Sequence, residues 1–561
     1  MQTRTLTPLF TVSDQVTVAD LPALQAEGVQ VLVCNRPDAE TPDQPAWSEL
    51  AQAAQAVGMQ VHSVPVAQDT INAADVRAFA DTLQEGLHIH AFCRSGARTT
   101  HLWALARIAA GQTQADVITA AKDAGYDLSN MSTRYASVIR ELTGALDELP
   151  VIQHCPLLII GGGAAGISVA SSLLKRAPGL QISIVEPSGE HWYQPGFTLV
   201  GGGVFKLAKT RRSEASLMPK QVTWIRNAVT HILPEQNQVV LGDDTKLSYE
   251  RLVVCPGLKL NWGGIPGLED TLGQNGVTSN YRSDLAPYTW ELVQGLKQGK
   301  AVFTQPAMPI KCAGAPQKAM YLSCDHWLKQ GLIKNIDVRF CNAGGVLFGV
   351  KDYVPALMQY VERYGAKLQF GHTLVKVDGP NKLATFATIG ADGQPTQVEE
   401  RFDLLHVVPP QCAPDFIRNS SVADRAGWVA VHQGTLQHAR YANIWSLGDV
   451  CSAPNAKTAA AVRKQAPIVA CNLLADISRQ QAPYHYDGYG ACPLTVEKGR
   501  VVMAEFSYGG KLAPSLPQWL MPGTKPTWLG WLLKAVFMPT LYFHFMLKGR
   551  EVMVNPEKTL R

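Results

Sequence analysis

No long apolar run opens this chain, its cysteines follow no regular spacing, and its charges nearly cancel. Each absence removes a class of protein. The segment from Met1 to Phe10 lacks the apolar stretch of a secretory signal, so the bulk of the chain is expected where thiols stay reduced. The 11 cysteines contain no CxxC spacing, which argues against a disulfide scaffold and a zinc site; no metal is expected. A formal net charge of +4 over 561 residues is too small to argue for nucleic acid. There is no internal repeat and no low-complexity tract. With 46% hydrophobic residues and a length beyond one core, three or four globular domains are expected.

What is present begins with Leu157-Leu158-Ile159-Ile160-Gly161-Gly162-Gly163-Ala164-Ala165-Gly166, an apolar strand running into GxGxxG. Glu186 closes the next strand, twenty residues after Gly166. That order fits a dinucleotide site. Gly161, Gly163 and Gly166 supply the tight turn and the close approach to a pyrophosphate, Ala164 and Ala165 open the helix, and Glu186 reaches a ribose hydroxyl. Farther on, a short strand ends in Gly448-Asp449, and Lys457-Thr458-Ala459-Ala460-Ala461-Val462 opens an alanine-rich helix. In flavoproteins with two dinucleotide domains, the Asp of such a pair contacts the ribityl or pyrophosphate part of FAD. The helix after it aims its positive N-terminus at the flavin. Placed about 280 residues after the first fingerprint, the pair reads as FAD rather than NAD.

A nicotinamide-using flavoprotein would carry a second GxGxxG after a second strand. Here the predicted strand 299–306 leads instead into Ala307-Met308-Pro309-Ile310-Lys311-Cys312, so electrons are not expected from NAD(P)H. The first dinucleotide domain also lacks a Cys-x4-Cys pair, so any dithiol must be assembled from distant cysteines.

Four segments carry a resemblance. They are Trp192-Tyr193-Gln194-Pro195-Gly196, Ile310-Lys311-Cys312-Ala313-Gly314-Ala315-Pro316-Gln317-Lys318, Ala456-Lys457-Thr458-Ala459-Ala460-Ala461-Val462, and Tyr486-Asp487-Gly488-Tyr489 before Cys492-Pro493-Leu494. Together they resemble the sulfide:quinone oxidoreductases, particularly the mitochondrial-type branch, over residues 155–550. The resemblance implies an α/β protein with two interleaved Rossmann-like domains: an FAD domain from 155–257 and 401–490, and a second domain, 258–400, carrying Cys312. It implies that Gln194, Asp449, Lys457 and Thr458 lie at the FAD, and that Cys312 and Cys492 form a redox pair on one flavin face. Cys492 would keep the persulfide, Cys312 would face the flavin, and Lys318 and Lys457 would lend positive charge. Sulfide would be the substrate, membrane quinone the electron acceptor, and a small glutathione-like thiol the sulfur acceptor. The readings left beside it are a type-2 NADH:quinone oxidoreductase and a non-catalytic thiol/flavin redox sensor.

Residues 1–145 have their own pattern, with residues 146–154 as a linker. A strand over 29–34, a helix over 73–86 and a strand over 87–92 are expected, and the last delivers Cys93-Arg94-Ser95-Gly96-Ala97-Arg98 to a helix N-terminus. Such a cysteine should have a lowered pKa and bind an anion, with Arg98 pairing to it bidentately. Cysteine phosphatases place five residues between Cys and Arg; here there are four. With Asn35-Arg36-Pro37-Asp38, the domain resembles the beta-lactamase-hydrolase-like, phosphatase-like family, and its short loop resembles rhodanese-type sulfurtransferases. Sulfur transfer is the favoured expectation and phosphatase activity the alternative.

In residues 491–561, Trp528–Met538 and Leu541–Leu547 read as two amphipathic pieces split by Lys534 and Pro539. Trp at one edge and Lys/Arg at the other suit a peripheral membrane anchor. The expected location is the cytoplasmic face of a bacterial inner membrane.

Overall fold

Strand Val151–Ile160 shows how the sequence builds its sheets. Its first four residues are exposed, whereas Leu157–Ile160 are buried on both faces, the pattern of a strand inside a parallel sheet. The computed structural model describes residues 1–41, 44–67, 70–390, 392–454, 457–480, 484–554 and 556. Ala456, in one of the segments carrying the resemblance, lies outside them. The described chain forms two compact units, residues 1–155, 227–249 and 413–430 in the first and the remainder in the second.

In the first unit a five-stranded sheet runs in the order Arg4–Thr7, Phe10–Ser13, Ile89–Phe92, Val31–Cys34, Gln60–Ser63. Only the first pair is antiparallel. Val12, Val33, Phe79, Leu102 and Leu105 fill one face; Leu24, Leu32, Leu50 and Phe92 fill the other. Each such side chain contributes about 1.5–3 kcal/mol by leaving water. The central strand, Ile89–Phe92, is buried throughout and ends at Cys93. His90 on that strand is fully buried, held by Thr11 Oγ1 and Ser13 Oγ at 2.9 Å each, and burial lowers its pKa to about 4. The helix expected over 73–86 ends at Ala80, because the Thr82 hydroxyl donates to the Phe79 carbonyl and competes for the helical bond.

The second unit carries the mixed α/β architecture expected of two Rossmann-like domains. One sheet contains Val222–Ile225, Ile182–Val185 and the buried half of Val151–Ile160, paired in parallel, with Leu157 opposite Ile182. Helix Ala164–Arg176 follows the glycine turn and packs with helix Ala459–Ile477, through Val169, Leu173, Val469 and Leu473. A second, wholly parallel sheet runs Val277–Thr278, Leu404–His406, Gly299–Gln305, Ile336–Asn342, Lys367–Phe370. Helix Ala315–Lys329 covers it over Phe303, Phe340, Met320 and Trp327. The hairpin Gly490–Glu497 and Arg500–Phe506 adds Cys492, Leu494 and Val502 to that core.

The end of the chain departs from the expected split. Residues Trp528–Lys548 form a continuous run of helical turns, two of them wide π turns, and Pro539 sits in the first turn of the short α segment between them. Lys534, expected as an interruption at a membrane surface, is buried. Among the described residues no helix is long and apolar enough to cross a membrane.

Candidate functional site

The glycine turn shows by its packing what it is shaped for. Gly161 has φ +101°, and a Cβ there would lie 2.6 Å from the Cys255 carbonyl oxygen. A Cβ on Gly166 would lie 1.8 Å from the Gly161 carbonyl oxygen, so only glycine lets helix and strand approach. A Cβ on Gly163 meets nothing within 4 Å and would project into open space at the N-terminus of helix Ala164–Arg176. That space belongs to a cavity of about 600 Å³ lined by Gly163, Glu186, Gln194, Asp449 and Thr458, which continues to Cys312. A cradle that a side chain would fill, leading from a phosphate turn to a buried cysteine, fits FAD.

The other cofactor candidates are arranged around this space. Glu186 accepts from the Gly162 and Ser188 amides at 2.8 Å each, which fixes its carboxylate at the turn. Burial raises the pKa of Asp449, partly offset by Lys311 and Lys457. Thr458 caps helix Ala459–Ile477 by accepting from the Ala461 amide at 3.1 Å. Lys457 donates to the carbonyls of Asp449 and Cys451 at 2.7 and 3.0 Å, while its own carbonyl accepts from the Cys312 amide at 2.9 Å. It therefore ties the Gly-Asp loop to the cysteine loop. Gln194 accepts from Lys311 at 2.6 Å.

Cys312 and Cys492, 180 residues apart in sequence, have their sulfurs 3.6 Å apart. Cys312 follows strand Gly299–Gln305 in a loop and holds φ +49°, a strained conformation for a residue with a side chain. Lys318, one turn into helix Ala315–Lys329, donates to the Cys312 sulfur at 3.0 Å and lies 3.9 Å from that of Cys492. The hydrogen bond from the Cys492 thiol, aided by the Lys318 ammonium, holds Cys312 well below the ordinary thiol range. The same bond, with burial, pushes Cys492 up. The contact therefore favours the thiolate at Cys312 and the thiol at Cys492.

Two residues at this pair had escaped a role in the sequence reading. A Cβ on Gly314 would lie 2.5 Å from the Cys492 sulfur and 2.3 Å from Leu494, so this glycine is what allows the sulfurs to meet. Its signal was visible, two residues after Cys312. Lys534 lines the same cavity, and burial together with the Lys318 charge lowers its pKa to about 7. No local pattern marks a lysine that is buried by distant chain.

In the first unit, Cys93 is buried at the turn into helix Ala97–Ala109, where Gly96 holds φ +81°. The Tyr126 hydroxyl lies 1.9 Å from where a Gly96 Cβ would be, covering the loop. Arg98 is already paired: its Nη1 and Nη2 meet the two Glu40 oxygens at 2.7 and 2.8 Å. The bidentate carboxylate expected of a bound anion is supplied by the chain itself. Cys34, on the neighbouring strand, is by contrast pushed up to about 12 by burial.

Residues 156–289 match the pyridine nucleotide-disulphide oxidoreductase family, and residues 2–110 match the phosphatase-like domain of beta-lactamase hydrolase-like proteins. The chain is 41% identical over 410 residues to the mitochondrial sulfide:quinone oxidoreductase of Dictyostelium discoideum, covering 72% of this chain and 89% of that protein. It is 36% identical over 419 residues to the mitochondrial sulfide:quinone oxidoreductase of Mus musculus, covering 75% and 92%. These relatives overturn the expected bacterial location, since both are mitochondrial. The crystal structure of the Aquifex aeolicus sulfide:quinone oxidoreductase shares the fold at a TM-score of 0.59 and 19% identity, covering 71% of this chain and 91% of that one. A close cysteine pair whose Cys312 lines the same cavity as a dinucleotide cradle, together with this identity over most of the length, places the chain in the sulfide:quinone oxidoreductase family, as an FAD-dependent enzyme with a phosphatase-like domain at its N-terminus.

Proposed function

We propose that sulfide is oxidised at the Cys312–Cys492 pair, and the observation that carries this is the 3.6 Å sulfur contact with Lys318 beside it. A disulfide needs about 2.05 Å between sulfurs, so a small movement with loss of two electrons and the shared proton closes the pair. Hydrosulfide then attacks the Cys492 sulfur, the S–S bond breaks, and Cys492 carries the persulfide while Cys312 leaves as thiolate. Lys318 stabilises that thiolate in a water-poor site. A small thiol of the glutathione class removes the outer sulfur from Cys492, and the pair closes again with loss of two electrons. The chemistry that FAD supplies when bound is acceptance of that electron pair and its passage to quinone. Gly163, Glu186 and Asp449 are the residues to hold it. Steady-state reduction of a soluble quinone by sulfide, lost in Cys312→Ser and Cys492→Ser with FAD retained, tests the reading.

The C-terminal turns are the part that meets the membrane in this reading. Trp519 and Trp528 are 84% and 61% exposed, and Val536 and Phe537 about half exposed, whereas Lys534, Tyr542 and Phe543 are buried. One side is thus apolar and unpaired, suited to lie at headgroup depth. Replacing Trp519, Trp528 and Phe537 by Ser should release the protein from liposomes without loss of FAD; undiminished liposome binding would place the anchor elsewhere.

The N-terminal domain is the sulfur-handling partner. Cys93 takes the outer sulfur of a persulfide donor, which releases its thiolate, so atoms and charge balance without a redox step. Attachment to the oxidase raises the effective concentration of this acceptor. Intact mass after glutathione persulfide should show about 32 Da added at Cys93, one sulfur atom, and Cys93→Ser should remove it. Efficient hydrolysis of an aryl phosphate with no sulfur uptake would assign the domain to the phosphatases.

A further inference from the structure

We propose that Glu40 determines the specificity of the Cys93 site, admitting a singly charged sulfur species and rejecting doubly charged oxyanions such as a phosphate monoester. This rests on the reading of Cys93 as a sulfur acceptor. The Glu40 carboxylate meets Arg98 at Nη1 (2.7 Å) and Nη2 (2.8 Å) and Arg36 at Nε (2.8 Å). The side chains of Arg98 and Arg36 are only 7% and 5% exposed, so these are desolvated pairs rather than surface contacts. The remaining groups are also engaged. Arg98 Nη1 donates to the Val66 carbonyl at 2.9 Å, and Arg36 donates to Gln15 Oε1 at 2.8 Å and Thr41 Oγ1 at 2.9 Å. Its hydrogen bonds to Arg98 and Arg36 keep the Glu40 carboxyl ionised, below its usual range.

The charge count follows from these contacts. Two guanidiniums and one carboxylate leave a single net positive charge in the cluster around Arg98. Arg98 is also within hydrogen-bonding reach of Cys93, so that charge can balance one anionic sulfur there. It balances equally the persulfide that replaces the thiolate when the donor S–S bond breaks and the donor thiolate departs. A phosphate monoester arriving as a dianion would confront the same single charge together with the thiolate, and would have to displace a carboxylate that already holds the fork of Arg98. The shorter Cys–Arg loop noted in the sequence is therefore not alone in disfavouring phosphate. A residue outside that loop acts in the same direction.

The full-length protein tests this with inorganic phosphate as the probe, read as protection of Cys93 from alkylation by iodoacetamide. Glu40→Gln keeps the shape and removes the charge. It should tighten phosphate protection by roughly tenfold or more, the worth of one charge-assisted interaction. Unchanged or weaker protection overturns the proposal. Arg36→Gln changes the cluster's charge in the opposite sense and should weaken protection by a similar factor; an unchanged value there also overturns it, whether or not Glu40→Gln folds. Sulfur uptake by the wild-type protein is measured separately. Its absence would defeat the acceptor reading while leaving the phosphate comparison to decide the role of Glu40.

Discussion

The chain holds two cysteine sites that set opposite kinds of cation beside the sulfur. At Cys93 the partner cation is a guanidinium, and a carboxylate from the same domain neutralises it. At Cys312 the cation is the Lys318 ammonium, no carboxylate intervenes among the described contacts, and a second thiol supplies the hydrogen bond. The first arrangement resembles an anion receptor with its charge reduced. In the proposed reading the second serves electron transfer, because its two sulfurs lie close enough to join. A fixed planar fork suits holding a group, whereas a compact ammonium 3.0 Å from one sulfur and 3.9 Å from the other can follow charge between them.

The largest break in this comparison should come from the sulfurs themselves. Cys312→Ser or Cys492→Ser should lower sulfide-dependent quinone reduction on the order of a thousandfold or more, and FAD absorbance should remain. Gly314→Val comes next. Its side chain would push Leu494 and the Cys492 sulfur away. Misplacement by about 1 Å costs roughly a hundredfold, to be read in kcat with FAD content unchanged.

Lys318→Met should act through protonation rather than position. Lys318 helps depress Cys312, so its removal raises that pKa, and the acid limb of the pH–rate profile should move to higher pH. An acid limb that stays in place would mean that the Cys492 hydrogen bond alone sets the thiolate. The smallest effect concerns stability. His90 and His406 each titrate near 4 when folded and near 6.5 when unfolded. The lowered folded value means that the stability they contribute is present above about pH 6.5 and is lost as pH falls toward 4. His90→Gln should flatten the acid loss for the first unit and His406→Gln for the second, seen in denaturant melts between pH 7 and 4.

Much of this was legible because it is local. The strand Leu157–Ile160, its glycines, Glu186 and the Thr458 cap each declare themselves within a few residues, and the structure shows them as strand, turn and helix start. Cys93 at a strand-to-helix turn was legible for the same reason. What was not legible depends on distant chain. Residues 227–249 and 413–430 join the first unit through contacts that no spacing reveals. Glu40 reaches Arg98 across 58 residues, and Lys534 owes its burial to helices and strands far away in sequence. Within the expected linker, 146–154, Val151–His154 form the exposed start of strand Val151–Ile160.

The central claim is that electrons leave sulfide through Cys312 and Cys492 and not through Cys93. Anaerobic addition of sulfide together with glutathione to the FAD-loaded protein, followed by flavin absorbance in a stopped-flow cell, tests it most directly. The account predicts rapid bleaching in the wild-type protein and in Cys93→Ser, and none in Cys312→Ser or Cys492→Ser. Bleaching at the wild-type rate in either of the latter two would contradict it.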